Sequence, residues 1–234
     1  MRPFALPRLR GLCDYPAYKL THIDYELYWR ARAPWPYPPR VYVIASLLER
    51  GSSVFDVGCG DGELFDYAAS RVPGLDWQGL DISAVAVERA QAKGMRADVT
   101  DVTAPGFALA GTYDYIVISE VLEHISDPER LLDTVRAHYR KGLILTVPNI
   151  CYYKHRIRAL MGRFPVQWQW HPAEHIRFWS LADFRQLLSS RGLLGGRMIT
   201  TNGFPFERRV TPRWHRLWPN LLAEGAVFVV PPQV

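Results

Sequence analysis

Between residues 52 and 148, short apolar segments alternate regularly with segments that carry a helical pattern. Apolar runs of this length, rich in β-branched and aromatic residues, are typical of buried strands. The helical segments between them supply the long crossovers that parallel strands need. The alternation therefore predicts an α/β fold with a doubly wound, mostly parallel sheet. The predicted strands are SSVFDV, LDWQGLD, MRADV, YDYIVIS and GLILTVPN.

The regions on either side of this core differ from it in composition. The first region is too aromatic for a disordered tail, so we expect it to pack on the core. Segments 197–203 and 224–230 are predicted to close the sheet as an antiparallel hairpin, with an irregular insertion at 204–222 between them. We predict four regions: an N-terminal extension at residues 1–40, a core at 41–149, a lid insertion on the substrate side at 150–178, and a C-terminal part of the same sheet at 179–234.

Charge is distributed unevenly along the chain, although the net charge is only +5. Residues 50–149 carry a net charge of −6 and residues 150–216 a net charge of +9. The basic region suggests an acceptor that bears a carboxylate or a phosphate. It contains a predicted helix, ICYYKHRIRALMGR, which we interpret as a lid with a solvated basic face, while contact with a membrane, RNA or an acidic partner stays open. The predicted apolar face consists of Ile150, Tyr153, Ile157 and Leu160.

Cysteine usage and hydropathy argue against several classes of protein. Cys13, Cys59 and Cys151 lie far apart and form no CxxC pair, which argues against a disulfide framework and a cysteine metal site. No apolar run approaches the roughly 18 residues of a membrane span, and prolines interrupt the basic N-terminus where a signal peptide would be apolar. We therefore expect a cytoplasmic protein with no membrane span.

The stretch VFDVGCGDGE, residues 54–63, places a glycine-rich turn between the first strand and a helix. Glycine permits positive φ and close approach of a ligand to the backbone, which is typical of a nucleotide site. The spacing is GxGxG rather than GxGxxG, and Asp56, Asp61 and Glu63 would repel a diphosphate. No GK[ST] sequence follows, which excludes a P-loop. A nucleoside with a positive centre and no phosphate, such as S-adenosylmethionine, suits this loop.

Two further acids lie at the ends of the second and third predicted strands. Asp81 lies 23 residues after Gly58, where a carboxylate can accept hydrogen bonds from both hydroxyl groups of a ribose. Asp98 lies near the end of the third strand, in a position to accept a hydrogen bond from the amino group of adenine. Asp81 as a helix N-cap and Asp98 as a solvated loop acid are the simpler alternatives.

These motifs together resemble the class I S-adenosylmethionine-dependent methyltransferases. The resemblance covers roughly residues 40–150 and rests on VFDVGCGDGE, LDIS, ADV, YDYIVISEVLEHISDPERLL and LILTVPN, in that order. It implies a Rossmann-like, seven-stranded sheet of order 3-2-1-4-5-7-6 and S-adenosylhomocysteine as the product. The residues expected to bind the cofactor are Asp56, Gly58, Cys59, Gly60, Asp61, Gly62, Asp81, Ile82, Asp98, Val99, Ser119 and Glu120. Of these, Cys59 is expected to be a small packing residue rather than a nucleophile.

Three histidines are candidates for a catalytic base: His124, His171 and His175. The resemblance places His124 on the side of the methyl acceptor, while a solvent-facing histidine is the equal alternative. The stretch HPAEH matches the HxxEH pattern of inverted zinc peptidases, but Pro172 prevents the two histidines from sharing one helical face. We therefore predict substrate-side polar residues and no metal.

A second, looser resemblance allows other functions. PNICYYKHRIRALMGRFPVQW and HIRFWSLADFRQLL are similar to the methionine-biosynthesis protein W (MetW) group. That similarity implies a cofactor-binding partner or regulator of a homoserine acyltransferase, as an alternative to an enzyme acting on a small or medium acceptor. Paired tryptophans and the basic region leave RNA methylation as a weaker alternative.

Overall fold

The structure is a computed structural model, and it describes residues 15–33, 36–201 and 214–233. Its centre is one seven-stranded sheet of order β3-β2-β1-β4-β5-β7-β6, which confirms the predicted order. The strands are β1 (Ser53–Val57), β2 (Asp76–Asp81), β3 (Arg96–Val99), β4 (Tyr113–Ser119), β5 (Tyr139–Pro148), β6 (Arg197–Thr201) and β7 (Gly225–Val230).

Helices cover both faces of this sheet. A single 3-10 turn, Leu122–His124, follows β4. None of the helices in the described part of the chain combines the length and apolar character that crossing a bilayer requires. The helices are α1 (Tyr25–Ala31), α2 (Pro39–Ala45), α3 (Glu63–Ala69), α4 (Ala84–Ala92), α5 (Pro128–Val135), α6 (Tyr153–Leu160), α7 (Leu181–Ser190), α8 (Trp214–Leu217) and α9 (Pro219–Leu222).

Strands β1 to β5 pair in parallel, and the predicted hairpin of β6 and β7 closes the sheet. β7 runs antiparallel to both β5 and β6. Residues 202–213, which include most of the predicted insertion, lie outside the described residues. All five parallel strands therefore end at the same edge of the sheet, where open α/β sheets bind their ligands.

The sheet is buried on both faces, because successive side chains of a strand point to opposite sides. In β4, Ile116 and Ile118 belong to one apolar cluster, while Tyr115 and Val117 belong to the other. The first cluster packs under α5 and α7, and the second under α2, α3 and α4. This double burial explains why the strands read as apolar runs rather than as an alternating pattern.

The sequence predicts that Ser83, Asp127 and Ser180 cap the helices that follow them, and the structure confirms all three caps. The Ser83 hydroxyl accepts from Ala86 N at the start of α4, and Asp127 caps α5 one residue before Pro128. Ser180 accepts from the N–H of Asp183 at the start of α7. These side chains satisfy N–H groups that have no partner within the first turn of a helix.

Two predicted details are wrong. In the segment ERLLDTVRAHY, helical spacing predicts a helix with Tyr139 on its apolar face. However, α5 ends at Val135, and Tyr139 is the first residue of β5. In α6, Leu160 is 87% exposed, whereas Arg158 is 5% exposed and donates from Nε to the carbonyl of Phe164. The buried face of α6 is therefore not the apolar stripe that the periodicity predicts.

Candidate active site

A cavity of about 770 Å³ opens at the carboxyl edge of the sheet. The glycine loop after β1 and the ends of β2 and β4 form one wall. Residues of α1 and the segment 166–175 form the opposite wall. Nine of the twelve predicted cofactor residues and two of the three predicted histidines line this one cavity. It is large enough for a nucleoside together with a second small molecule.

Three glycines give the loop after β1 its shape. Gly58, Gly60 and Gly62 all have positive φ, at 72°, 55° and 72°. A Cβ at Gly58 would overlap Val121, and one at Gly60 would come within 2.7 Å of the Trp29 ring. A side chain at either position is thus excluded by backbone strain and by lack of space. Gly62 differs, since it begins α3 and does not line the cavity.

Asp81 at the end of β2 connects the glycine loop to α4. One carboxylate oxygen accepts from Gly60 N and the other from Ser83 N, both at 2.9 Å. Burial raises the pKa of Asp81, while these backbone donors favour the ionised form. Each oxygen keeps a lone pair for a ligand. Ile82 lies beside it on the cavity wall with 48% of its surface exposed.

Asp56 and Cys59 are buried beneath the same loop. Burial raises the pKa of Asp56 to about 7, with the neighbouring Asp81 adding to the rise. Burial also raises the pKa of the Cys59 thiol. A buried, neutral thiol suits the packing role expected of Cys59. Asp61, in contrast, is partly exposed and forms an ion pair with Lys93 at 3.4 Å.

The third predicted acid is placed differently. Asp98 and Val99 are exposed at the edge strand β3 and do not line the cavity, whereas Asp101 does. Side-chain alternation explains the difference, because Ala97 faces the core and Asp98 faces away from it. Asp101, three residues further on, is therefore better placed than Asp98 to make the predicted contact. Its Oδ1 accepts a hydrogen bond from Thr103 N.

Ser119 and Glu120, at the end of β4, line the cavity together. Glu120 adopts a φ of 57°, which is uncommon for a residue other than glycine. Thr146 of β5 donates its hydroxyl to the Glu120 carboxylate at 2.9 Å and lies 3.1 Å from the Ser119 hydroxyl. Backbone strain at such positions persists where the surroundings hold it, and it clusters at functional sites.

Helix α1 forms a roof over the glycine loop. The Trp29 ring lies against Gly60, and the Glu26 carboxylate accepts from Ala84 N and Val85 N at the start of α4. Arg89 of α4 donates in return to the carbonyl of Arg32, after the end of α1. Sequence reasoning expected the aromatic extension, which includes Trp29, to pack on the core. It did not identify Glu26 as a cap of α4, because this contact joins positions 58 residues apart.

His124 and His175 line the cavity together, and their ring centroids lie 4.8 Å apart. His124 Nδ1 donates to the Glu174 carbonyl at 2.5 Å, which leaves Nε2 as a lone-pair donor. Burial lowers the pKa of His124, and burial with the neighbouring His124 lowers the pKa of His175 to about 3. Both imidazoles are therefore neutral at pH 7.

Glu123 lies between these histidines and was missed by sequence reasoning. It is 0% exposed, and neither carboxylate oxygen has a hydrogen-bond partner among the residues that the structure describes. Burial, followed by the charge of Glu120, raises the pKa of Glu123 well above its ordinary value. The sequence shows Glu123 as an acid within the motif SEVLEHI, but no pattern in the sequence indicates that its side chain is buried.

His171 lies outside this group. It does not line the cavity, and its Nδ1 accepts from Ala173 N in a turn rather than a helix, as Pro172 predicts. The turn is held by the buried Glu174, whose carboxylate accepts from Gln169 N, Trp170 N and His171 N. Glu174 is therefore a structural anchor for the wall that carries His175.

The comparisons with known proteins agree with this architecture. A family model described as "Methyltransferase domain" matches residues 29–194. The chain is 36% identical to the ubiquinone biosynthesis O-methyltransferase of Rhizobium johnstonii over 104 residues, which are 43% of this chain and 42% of that protein. It is 30% identical to the bifunctional methionine biosynthesis protein MetXA/MetW of Rhodopirellula baltica over 161 residues, which are 62% of this chain and 25% of that protein.

Solved structures show the same fold at low identity. A chain from the complex of the Trm112 methyltransferase activator with a methyltransferase of Haloferax volcanii superposes with a TM-score of 0.60 at 18% identity, covering 83% of this chain and 89% of that one. A SAM-dependent methyltransferase from Thermotoga maritima gives 0.60 at 14% identity, covering 83% and 88%. The chain belongs to the methyltransferase domain family, within the class I S-adenosylmethionine-dependent methyltransferases.

Proposed function

We propose that this protein transfers the methyl group of S-adenosylmethionine to a hydroxyl oxygen of a small or medium acceptor. The observation that carries the proposal is a single cavity with two chemically different ends. One end has the positive-φ glycine loop and Asp81, and the other has neutral imidazoles beside aromatic walls.

The residues at the first end suit the cofactor. Gly60 lets the backbone approach a nucleoside closely, and the free lone pairs of Asp81 suit the two ribose hydroxyls. Asp56, whose pKa is raised to about 7 by burial, supplies negative charge to a cationic ligand when its carboxyl group is ionised. Arg32 and Arg40, the cations that line the cavity within the described residues, lie near Glu63 on the glycine loop. They suit the carboxylate of the amino-acid tail.

The residues at the second end suit a flat hydroxylated acceptor. S-adenosylmethionine supplies a methyl group that its sulfonium already activates, so the protein mainly has to align the acceptor and exclude water. Tyr25 and Trp168 offer ring surfaces, and His124 and His175 offer lone pairs that favour loss of the acceptor's proton. The relatives named for ubiquinone biosynthesis O-methylation agree with an oxygen acceptor.

The anionic acceptor predicted from the basic region has weaker support. Arg158 is buried against the Phe164 carbonyl, and Arg177 pairs with Glu129 at 2.5 Å. Both cations have partners within the protein, and neither lines the cavity. A carboxylate or phosphate on the acceptor stays a prediction from the charge of residues 150–216.

The test is transfer of label from methyl-labelled S-adenosylmethionine into fractions of a cell extract. We expect label in the small-molecule fraction with the wild-type protein and much less of it with Asp81→Ala at a subsaturating concentration of the donor. Label in the nucleic-acid fraction would favour RNA methylation instead. Absence of label from every fraction would contradict the proposal.

A second candidate function is regulation of an acyltransferase. It is supported by the bifunctional relative MetXA/MetW, whose match covers more of this chain than that of the O-methyltransferases. A regulator would bind a homoserine acyltransferase and change its rate without forming S-adenosylhomocysteine. Acyltransferase assays with and without this protein separate the two functions.

A further inference from the structure

Glu123, His124 and His175 bring three metal-ligating groups together at the acceptor end of the cavity. One ligand atom from each residue lies within 4.8 Å of the other two. All three residues line the cavity. From this geometry we propose that they bind a divalent transition-metal ion, with Zn²⁺ as the expected metal, and leave an open coordination position toward the acceptor.

The unpartnered carboxylate of Glu123 is the first observation that points to a ligand. The side chain is fully buried, and neither oxygen has a hydrogen-bond partner within the described residues. Such a group destabilises a protein whether it is ionised or protonated, because both forms leave polar atoms unsatisfied. A cation would satisfy these oxygens. The buried Nδ1 of His175 likewise has no partner among the described residues.

The orientation of His124 is the second observation. Its Nδ1 donates to the Glu174 carbonyl, so Nε2 is the atom available to a metal. Histidines that bind metals usually donate their other ring N–H to a carbonyl or a carboxylate in this way, which fixes the tautomer and the ring plane.

The backbone holds the three ligands in register. Ile176 N and Arg177 N both donate to the Glu123 carbonyl, at 2.9 and 3.1 Å. The strand-end turn that carries Glu123 and His124 is therefore tied to the segment that carries His175. The Glu174 carboxylate stabilises the same segment through three backbone N–H groups. Backbone hydrogen bonds therefore fix the two segments that carry the three ligands relative to each other.

The group can hold one ion only after its side chains move inward. Ligand atoms about 2.1 Å from a tetrahedral zinc ion lie about 3.4 Å apart. A pair of ligand atoms at the upper limit of 4.8 Å therefore has to close by about 1.4 Å through side-chain rotation when the ion binds. Two imidazole nitrogens and one carboxylate are a ligand set that catalytic zinc sites use with a fourth position open. The HPAEH pattern predicted no metal, and the proposed site uses only its second histidine.

An ion here would bind the hydroxyl oxygen of the acceptor and lower its pKa, which would release its proton to solvent. This role rests on the proposed function, whereas the metal site does not. Metal binding without methyl transfer would support the metal site and contradict the proposed function. Methyl transfer by a protein that binds no metal would support the function and contradict the metal site.

The experiment is calorimetric titration of chelator-treated full-length protein with Zn²⁺, together with visible absorption spectra of the protein with Co²⁺. We expect one ion per chain and Co²⁺ bands of a four- or five-coordinate site. Glu123→Gln keeps the side-chain shape and should weaken Zn²⁺ binding by more than about 100-fold. His175→Gln should do the same.

Matched controls are His171→Gln, from the same HPAEH stretch, and His155→Gln, another histidine that lines the cavity. Both should bind Zn²⁺ as the wild type does. Circular dichroism of the metal-free variants checks that each is folded. The proposed site would be overturned if the folded wild-type protein bound no Zn²⁺. It would also be overturned if Glu123→Gln bound Zn²⁺ as tightly as the wild type.

Discussion

Asp81 makes the most specific contact expected at the cofactor end, so its replacement is the first prediction. Asp81→Ala should weaken S-adenosylhomocysteine binding by roughly 10- to 100-fold, because hydrogen bonds to a charged group contribute about 1.5–3 kcal/mol. Calorimetry measures the effect. Because Asp81 also anchors Gly60 and Ser83, the melting temperature of the variant must be recorded beside its affinity.

Asp98 offers a matched control for this substitution. It lies near the end of a strand as Asp81 does, but it is exposed and does not line the cavity. Asp98→Ala should therefore change the affinity by less than a factor of about two. A larger loss at Asp98 than at Asp81 would show that the sequence-based assignment of the adenine contact is right and that Asp101 does not take that place.

Asp56 predicts a pH dependence of cofactor binding. Burial holds its pKa at about 7 in the free protein, so it is mostly protonated at pH 6. A cation nearby favours the carboxylate, so binding should release a proton below pH 7. Affinity for S-adenosylmethionine should then rise from pH 5.5 to pH 7.5 and level off above.

Asp56→Asn separates this effect from that of its neighbour Asp81, whose pKa is also raised. The variant should lose the part of the pH dependence that centres near 7. Calorimetry in two buffers with different ionisation enthalpies counts the protons released. Identical pH profiles for the variant and the wild type would rule out Asp56 as the titrating group.

Single residues differ in how well the sequence predicts their positions. The glycine loop and Asp81 are defined by spacing within a strand, a turn and a helix, so local rules place them on the cavity. Glu123 and Asp101 depend on side-chain direction in irregular segments after a strand, which the sequence does not specify. His124 and Glu174 meet through a contact across 50 positions, which no local pattern shows.

At the level of elements, α1 and α4 stabilise one another end to end. Glu26 caps the N-terminus of α4, and Arg89 of α4 donates to the carbonyl of Arg32 just after α1. Glu26→Ala should lower stability by about 1 kcal/mol, since it removes both a cap and a favourable charge at the helix dipole. For a chain of this size the melting temperature should fall by roughly 2–4 °C.

Leu27→Ala is the control for this prediction, because Leu27 is 40% exposed on the same helix. It should shift the melting temperature by less than Glu26→Ala does. Equal shifts in the two variants would mean that α1 contributes through general packing, and that the cap on α4 adds nothing measurable.

Element boundaries and buried faces were predicted less well than element types. Every strand of the core was expected, yet β5 begins at Tyr139, inside a segment with helical spacing. In α6, periodicity favours Leu160 as a buried residue, but Arg158 is buried instead. Tertiary contacts decide here, since the Phe164 carbonyl gives the Arg158 guanidinium a partner that the helix pattern cannot reveal.

For the whole molecule, the order of the strands was predicted from the family resemblance, and the structure has that order. Parallel strands joined by right-handed crossovers, with apolar faces on both sides, leave few arrangements for a chain of this pattern. The antiparallel closing hairpin was also expected, because two β-branched runs remain at the C-terminus. How the aromatic extension covers the cavity depends instead on contacts such as that of Trp29 with Gly60, which join distant parts of the chain.

The identity of the nucleoside can be tested on the stability of the whole chain. A ligand that binds only the folded state at about 100 times its Kd stabilises it by about 2.7 kcal/mol. For a chain of 234 residues this raises the melting temperature by roughly 5–10 °C. S-adenosylhomocysteine should produce this shift. NADH at the same concentration should produce none, because Asp56, Asp61 and Glu63 repel its diphosphate. A shift with NADH and none with S-adenosylhomocysteine would mean that the glycine loop serves a dinucleotide.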